Sequence, residues 1–272
     1  MNKTYKTTEE LAKEIRKLAL QMVHKAKASH IGGALSMADI LAVLYYDILK
    51  IDGSNPKNVD RDRFLLSKGH ACTALYATLA LKGFFPISDL STYAQDGSIF
   101  LSHTSHHVLG IEISAGSLGH VLPVSCGLAL AAKRKNTNWK TYCLISDGEL
   151  DEGSNWESIL FAPQHQLDNL ILIVDYNKIQ SLGSVKDVID LNPINEKFIA
   201  FRWETFEVDG HDHKALKDIF MKVQDINDKP KVVIAHTIKG KGISFMENQL
   251  LWHYKSPDKE QCIQAINELN IQ

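Results

Sequence analysis

The chain has 272 residues, enough for one or two domains, and its 44% hydrophobic and 23% charged content excludes disordered and fibrous architectures. Thirty basic against thirty-two acidic residues leave a net charge of −2 with no long basic block, which argues against nucleic-acid binding. The longest uncharged run, 113–132, is broken by Gly116, Gly119, His120, Pro123 and Gly127 and makes no membrane span, and the charged N-terminal stretch has no apolar signal core, so a cytoplasmic protein is expected.

Thr7-Thr8-Glu9-Glu10 ahead of Leu11, Ile15, Leu18 and Met22 predicts a capped amphipathic helix. Ser36-Met37-Ala38-Asp39 predicts a second helix running to about Lys50. An alternation follows: strand 63–67, helix 71–82 ended by Gly83, helix 118–135, strand 140–146, helix 155–166 and strand 170–175. Further on, 205–208 and 231–237 read as strands around a helix over 213–223. Strands separated by helices imply parallel pairing through right-handed crossovers. The continuous apolar run from Leu170 to Val174 suits a central strand covered on both faces. The predicted fold class is α/β: a doubly wound, mainly parallel sheet with helices on both faces. Gly240–Pro257 lacks periodicity and reads as a functional loop, and a last helix follows a cap at Ser256-Pro257. Cys72, Cys126, Cys143 and Cys262 are widely spaced and read as core thiols; no H-E-x-x-H spacing supports zinc among the twelve histidines.

Ligands of open parallel sheets sit beyond the carboxyl ends of the strands. There the sequence places Asp147-Gly148-Glu149 and, about thirty residues on, Asp175-Tyr176-Asn177. On neighbouring strands, Asp147 and Asn177 would present hard oxygen donors to one ion, Mg²⁺ or Ca²⁺ rather than zinc. A single carboxylate carries too little charge for tight binding, so the remaining ligands are expected from a diphosphate and water. Asp-Gly and Asp-x-Asn are also ordinary turn sequences. Neither a P-loop nor a G-x-G-x-x-G fingerprint is present.

Together these two segments resemble the thiamine-diphosphate motif, and the chain as a whole resembles transketolase. The likeness runs through Ala28-Ser29-His30-Ile31-Gly32-Gly33, the stretch Arg61 to His70, Gly116-Ser117-Leu118-Gly119, Ser146 to Gly153, Leu167-Asp168-Asn169-Leu170 and Trp252-His253. It implies one thiamine-diphosphate-binding domain over 1–272, with thiamine diphosphate and Mg²⁺ as cofactors, Ca²⁺ or Mn²⁺ able to substitute. It also implies that Asp147, Asn177 and the main-chain carbonyl of Ile179 hold the metal. Gly148 would offer its N–H to a phosphate oxygen, His70 and His253 would hydrogen-bond the diphosphate, and Gly116, Ser117 and Leu118 would pass their backbone along the cofactor. His30, His103 and His253 match substrate-facing histidines suited to proton transfer. His106 is the alternative to His103, because Ser102 to His107 lacks the family's Gly-His-Pro. Glu152 matches a carboxylate at the subunit interface.

The family's activating glutamate and the aromatic residues that stack on the pyrimidine belong to a second domain that this chain lacks. The resemblance therefore implies the N-terminal subunit of a split enzyme. It would transfer a two-carbon ketol unit between sugar phosphates, as a heterotetramer with a C-terminal pyrimidine-binding subunit. Ser146, Ser29 and Tyr254 depart from the family pattern, and Tyr254 is expected to narrow the substrate entrance, taking the donor away from the usual pentose phosphates. The competing readings are half of a deoxyxylulose-phosphate synthase, a plain structural domain and a non-catalytic cofactor-binding subunit.

Overall fold

The computed structural model describes residues 5–271; of the N-terminal stretch read for a signal, residues 1–4 lie outside the described residues. Helix α1 (Thr8–Ala26) begins where the Thr7 hydroxyl accepts the Glu10 N–H at 3.2 Å, as its capping sequence predicts. Helices α2 (Ile31–Ser36) and α3 (Ala38–Val43) follow, then strand β1 (Arg63–Leu66), α4 (Cys72–Leu81), α5 (Val121–Arg134), β2 (Thr141–Ser146), α6 (Gly153–Gln164) and β3 (Leu170–Tyr176). A two-stranded hairpin, β4 (Ile179–Gln180) and β5 (Gly183–Ser184), precedes the short α7 (Val185–Val188) and α8 (Ile194–Ala200). The chain ends with β6 (Glu204–Asp209), α9 (His213–Gln224), β7 (Lys231–His236) and α10 (Lys259–Ile271).

The main sheet has the order β1-β2-β3-β7-β6, every neighbouring pair parallel. Alternation of side chains divides the interior. Phe64, Leu66, Tyr142, Leu144, Ile171 and Ile173 face a core shared with α1, α3 and α4, whereas Leu65, Cys143, Ile145, Leu170, Leu172 and Val174 face one shared with α5, α6 and α8. The β3 run is buried at every position, as a central strand between two helical layers must be. All four cysteines are free and buried. No helix among the described residues is long and apolar enough to cross a membrane.

Several expected boundaries move. The single helix expected over 36–50 is broken at Met37 (φ −91°, ψ 2°) and closes in a wider π turn over Leu44–Ile48, while α2 forms ahead of it despite Gly32 and Gly33. The helix expected from Leu118 starts at Val121, because Gly119 sits at φ +82°, outside helical space. That expected from Ala71 begins at Cys72 after a 3₁₀ turn over Gly69–Ala71, and that expected from Asn155 begins at Gly153 and ends at Gln164. The last helix is capped by Asp258, not Ser256-Pro257: its carboxylate accepts the Gln261 N–H at 2.9 Å while the Gln261 side chain accepts the Asp258 N–H at 3.1 Å. The 240–257 segment carries only a 3₁₀ turn at Leu250–His253 and crosses the carboxyl edge of the sheet.

Candidate functional site

Ser146 pairs in register with Asp175, so Asp147 and Asn177 leave adjacent parallel strands at the same sheet edge. Asp147 is buried and, among the described residues, makes no ion pair: its oxygens accept the Gly148 N–H at 2.8 Å and the Lys178 N–H at 2.5 Å. Burial, reinforced by the Asp175 charge, raises its pKa to about 6. Asp175 is the structural anion beside it. Burial opposes its charge, but the Lys68 ion pair outweighs that, with Ser36 and Thr237 hydroxyls adding bonds, and its pKa is lowered. Asn177 donates weakly to Asp175 at 3.4 Å, which turns its carboxamide oxygen toward the Ile179 N–H at 3.2 Å.

One pocket, enclosing about 190 Å³ and partly open, joins these tips to Gly148, Ile179 and four histidines. Each histidine arrives on a separate segment. His30 precedes α2 in the left-handed conformation (φ 70°) and donates its N–H to the His253 carbonyl at 3.0 Å. His70 lies in the 3₁₀ turn after β1, whose Gly69 is required: a Cβ there would stand 2.3 Å from the Ala115 carbonyl oxygen. Tyr76 fixes the His103 segment by donating its hydroxyl to the His103 carbonyl at 2.7 Å, and buried Trp252 anchors His253 through a 2.9 Å bond to the Phe245 carbonyl. The His30 ring centroid lies 5.0 Å from His70, 4.9 Å from His253 and 6.3 Å from His103.

Burial, then the repulsion that protons on neighbouring His103 and on Lys239 would exert, brings His30 down to about 4; burial and Lys239 bring His253 to about 3; burial and Lys68 take His70 well below the usual histidine range. All three are neutral near pH 7. Unfolding would return them to ordinary values, so between pH 6.5 and about 4 the unfolded chain binds more protons and stability falls as pH falls. Asp147, raised to about 6, and Glu149, also raised by burial, work the other way, but they are two carboxyls against four histidines, since burial lowers His103 as well. The urea midpoint of the ligand-free chain is therefore expected to drop between pH 7.5 and pH 5.5, and an unchanged or rising midpoint would contradict neutral burial of the histidine cluster.

The remaining expected residues are distributed unevenly. Gly116 and Leu118 line the pocket; Ser117 is exposed beside them, outside the lining, and Glu152 is exposed at the start of α6, also outside it. His103 reaches the pocket, whereas His106 is exposed and bonded through Nδ1 to the Ser114 hydroxyl at 2.8 Å. A Cβ at Gly116 would meet nothing nearer than His103 Cδ2 at 3.5 Å, so the protein itself imposes no glycine there. The Gly148 N–H, expected to face a phosphate, donates instead to Asp147, and the need for glycine comes from Gln180, whose Cβ would stand 2.6 Å from a Cβ at 148. Tyr254 is 56% exposed and ties its hydroxyl to the Ser181 carbonyl at 2.6 Å, with its ring 4.9 Å from that of His253.

Two cationic residues escape the sequence reading. Lys68 follows β1, and Lys239 follows β7 just as Asp147 follows β2. Among the described residues Lys239 makes no ion pair; its Nζ donates to the Ile179 carbonyl at 2.9 Å and lies 3.1 Å from His253 Nδ1. Burial, with the Lys68 charge added, lowers it to about 8. Glu149 is likewise buried and accepts the Ser67 hydroxyl and the Gly119 N–H, joining the 116–119 loop to the strand tips.

A buried carboxylate, the neighbouring Asn177 carboxamide oxygen and the Ile179 main-chain carbonyl are hard oxygen donors that suit a dication, and a buried ammonium among neutral imidazoles suits an anion next to it. Among the described residues no cluster of three His, Cys, Asp or Glu side chains offers a zinc site. A family model described as the transketolase thiamine diphosphate binding domain matches residues 7–269. An apulose-4-phosphate transketolase subunit of Actinobacillus succinogenes is 42% identical over 98% of each chain. A 6-deoxy-6-sulfo-D-fructose transketolase subunit of a Clostridium species is 40% identical over 95% of this chain and 94% of its own. The crystal structure of transketolase from Campylobacter jejuni superposes with a TM-score of 0.92 at 33% identity, over 97% of this chain but 42% of that one. The pocket, the sheet that builds it and these likenesses agree: this chain belongs to the transketolase family and corresponds to its thiamine-diphosphate-binding N-terminal half.

Proposed function

We propose that this chain is the cofactor-binding subunit of a split transketolase that moves a two-carbon ketol unit from a ketose phosphate, or a similarly anionic ketose, to an aldose phosphate acceptor. The observation that carries the reading is the meeting of four histidines from four segments with the Asp147–Asn177 pair in one pocket at the carboxyl edge of the sheet. When bound, thiamine diphosphate supplies the carbon that takes up the transferred unit. Asp147, Asn177 and the Ile179 carbonyl would hold Mg²⁺, with Ca²⁺ or Mn²⁺ able to replace it. Lys239, His70 and His253 would then donate to the diphosphate, and the 116–118 backbone would run along the cofactor. His30 and His103, being neutral, can each donate and accept at a sugar hydroxyl, whereas His253, whose Nδ1 faces the Lys239 ammonium, has a single N–H to give.

The reading extends to a partner. The pocket is partly open, and among the described residues its non-histidine cations are Lys68, committed to Asp175, and Lys239. The pyrimidine ring and the terminal anion of the sugar are therefore left to a C-terminal subunit, with Glu152 near that contact and two such pairs forming a heterotetramer. Relatives named for apulose 4-phosphate and for a sulfonated fructose put donors other than the common pentose phosphates within range, and the exposed Tyr254 ring beside His253 is compatible with that. Four buried free thiols suit a cytoplasmic setting.

Co-expression with a protein carrying the complementary pyrimidine-binding domain, followed by incubation with thiamine diphosphate, Mg²⁺ and a panel of ketose phosphates and sulfonates, is expected to yield aldoses shortened by two carbons. A complex that retains the cofactor but shortens no donor in the panel would overturn the ketol-transfer reading.

A further inference from the structure

Beneath the β7 exit lies a buried polar cluster that touches none of the pocket. Asp39 on α3 is 4% exposed and receives Arg16 from α1 in a two-pronged pair at 2.9 and 2.6 Å. His213 Nε2 at the start of α9 lies 3.0 Å from one carboxylate oxygen, and His211 Nδ1 lies 2.6 Å from the other. Burial disfavours the Asp39 charge, but Arg16 and the two imidazoles outweigh it and keep the carboxyl well below its usual range. The far side of the His211 ring fixes its tautomer. Its Nε2 is 2.9 Å from the Ile238 N–H, which can only donate. Nε2 must therefore be the lone-pair nitrogen and Nδ1 must carry the proton, given to Asp39.

Ile238 is the residue before Lys239. On its other side, Thr237 donates its hydroxyl to Asp175, and beyond Lys239 the Gly240 N–H reaches the Gly32 carbonyl at 3.0 Å. The backbone that aims Lys239 into the pocket is thus held on both sides and at Lys239 itself, whose carbonyl accepts the Asn248 N–H at 2.9 Å, and His211 is the side chain that holds the Ile238 N–H. We infer that His211 is a positioning residue: held in one tautomer by Asp39, it fixes the Ile238 peptide so that the Lys239 ammonium projects toward the diphosphate end of the pocket. The inference rests on the reading of Lys239 as a diphosphate donor.

Two substitutions separate this role from simple anchoring of the 209–213 loop. Asn at 211 reaches only as far as the Nδ1 position, so it keeps the Asp39 bond and loses the Ile238 bond. Gln carries its carbonyl oxygen out to the Nε2 position and can still accept from Ile238. In the full chain, H211N is expected to expose the Ile238 amide to hydrogen exchange and to raise the Kd for thiamine diphosphate in excess Mg²⁺ about tenfold, the scale for losing a group that orients a ligand-binding one. H211Q is expected to restore both. In a K239M background, H211N should weaken binding no further, because the group it orients is gone. The reverse order, with H211N intact and H211Q impaired, or an undiminished H211N effect without Lys239, would overturn the inference. Failure of the unsubstituted chain to bind thiamine diphosphate even when assembled with a pyrimidine-binding subunit would count against the cofactor reading, while protection of the Ile238 amide in H211N would still count against the role of His211.

Discussion

Replacing Asp147 by Ala is expected to weaken Mg²⁺-dependent retention of thiamine diphosphate by at least about a hundredfold, the upper end for losing even a group that stands behind a metal ligand. Among the described residues Asp147 is the only carboxylate in the pocket lining, and Asp175 behind it is already neutralised by Lys68. Asn177 and the Ile179 carbonyl contribute dipoles but no charge, so without Asp147 a dication would be held by neutral oxygens and the ligand's own phosphates. The unsubstituted chain carries a second signature of the same site. With the Asp147 carboxyl raised to about 6, proton and metal compete for it, and the carboxylate form is the one that binds. Metal-dependent affinity should be level above about pH 7 and fall by up to tenfold per pH unit below 6. Equilibrium dialysis with labelled cofactor between pH 5 and pH 8 reads both effects. Equal retention by D147A, or a wild-type affinity that increases on acidification, would remove Asp147 from the metal site.

The parts of this site that depend on position along a strand are legible in the sequence. A run of five apolar residues marks β3 as central, and the polar residues directly after β2 and β3 then share an edge, because parallel neighbours end together. The same logic reaches Lys239, beyond β7, but the neighbouring Gly240-Lys241-Gly242 masks it by inviting comparison with a phosphate loop whose spacing it lacks. Helix interruptions are less legible. Nothing in the composition of 36–50 distinguishes a regular helix from one that breaks at Met37 and widens at Leu44, since both bury the same apolar side chains. The Asp39–His211 cluster is out of reach for a different reason. Arg16 and His211 lie 23 and 172 positions from Asp39, and it is the packing of α1 and α9 against α3 that brings them within hydrogen-bond range.

His30→Ala is expected to leave the Kd for thiamine diphosphate within about threefold and to slow ketol transfer by roughly 10²- to 10⁴-fold, the range for loss of a positioned proton-transfer group. His30 faces three other imidazoles, and its Nδ1 is buried with no hydrogen-bond partner among the described residues, a costly state that a ligand hydroxyl would relieve. Because its pKa is brought down to about 4, the ring is neutral from pH 5 upward and its protonation should not shape the rate between pH 6 and 8. The backbone complicates the alanine variant. His30 sits at φ 70°, where a side chain other than Gly, Asn or Asp is strained, and its N–H holds the His253 carbonyl. His30→Asn separates the two effects, since Asn tolerates the left-handed conformation but cannot shuttle a proton near neutral pH. If His30 handles protons, both variants should be slow with nearly normal cofactor affinity. If it serves only to shape the loop, the Asn variant should recover activity, and a loss confined to cofactor affinity would place His30 with His70 at the diphosphate instead of at the sugar.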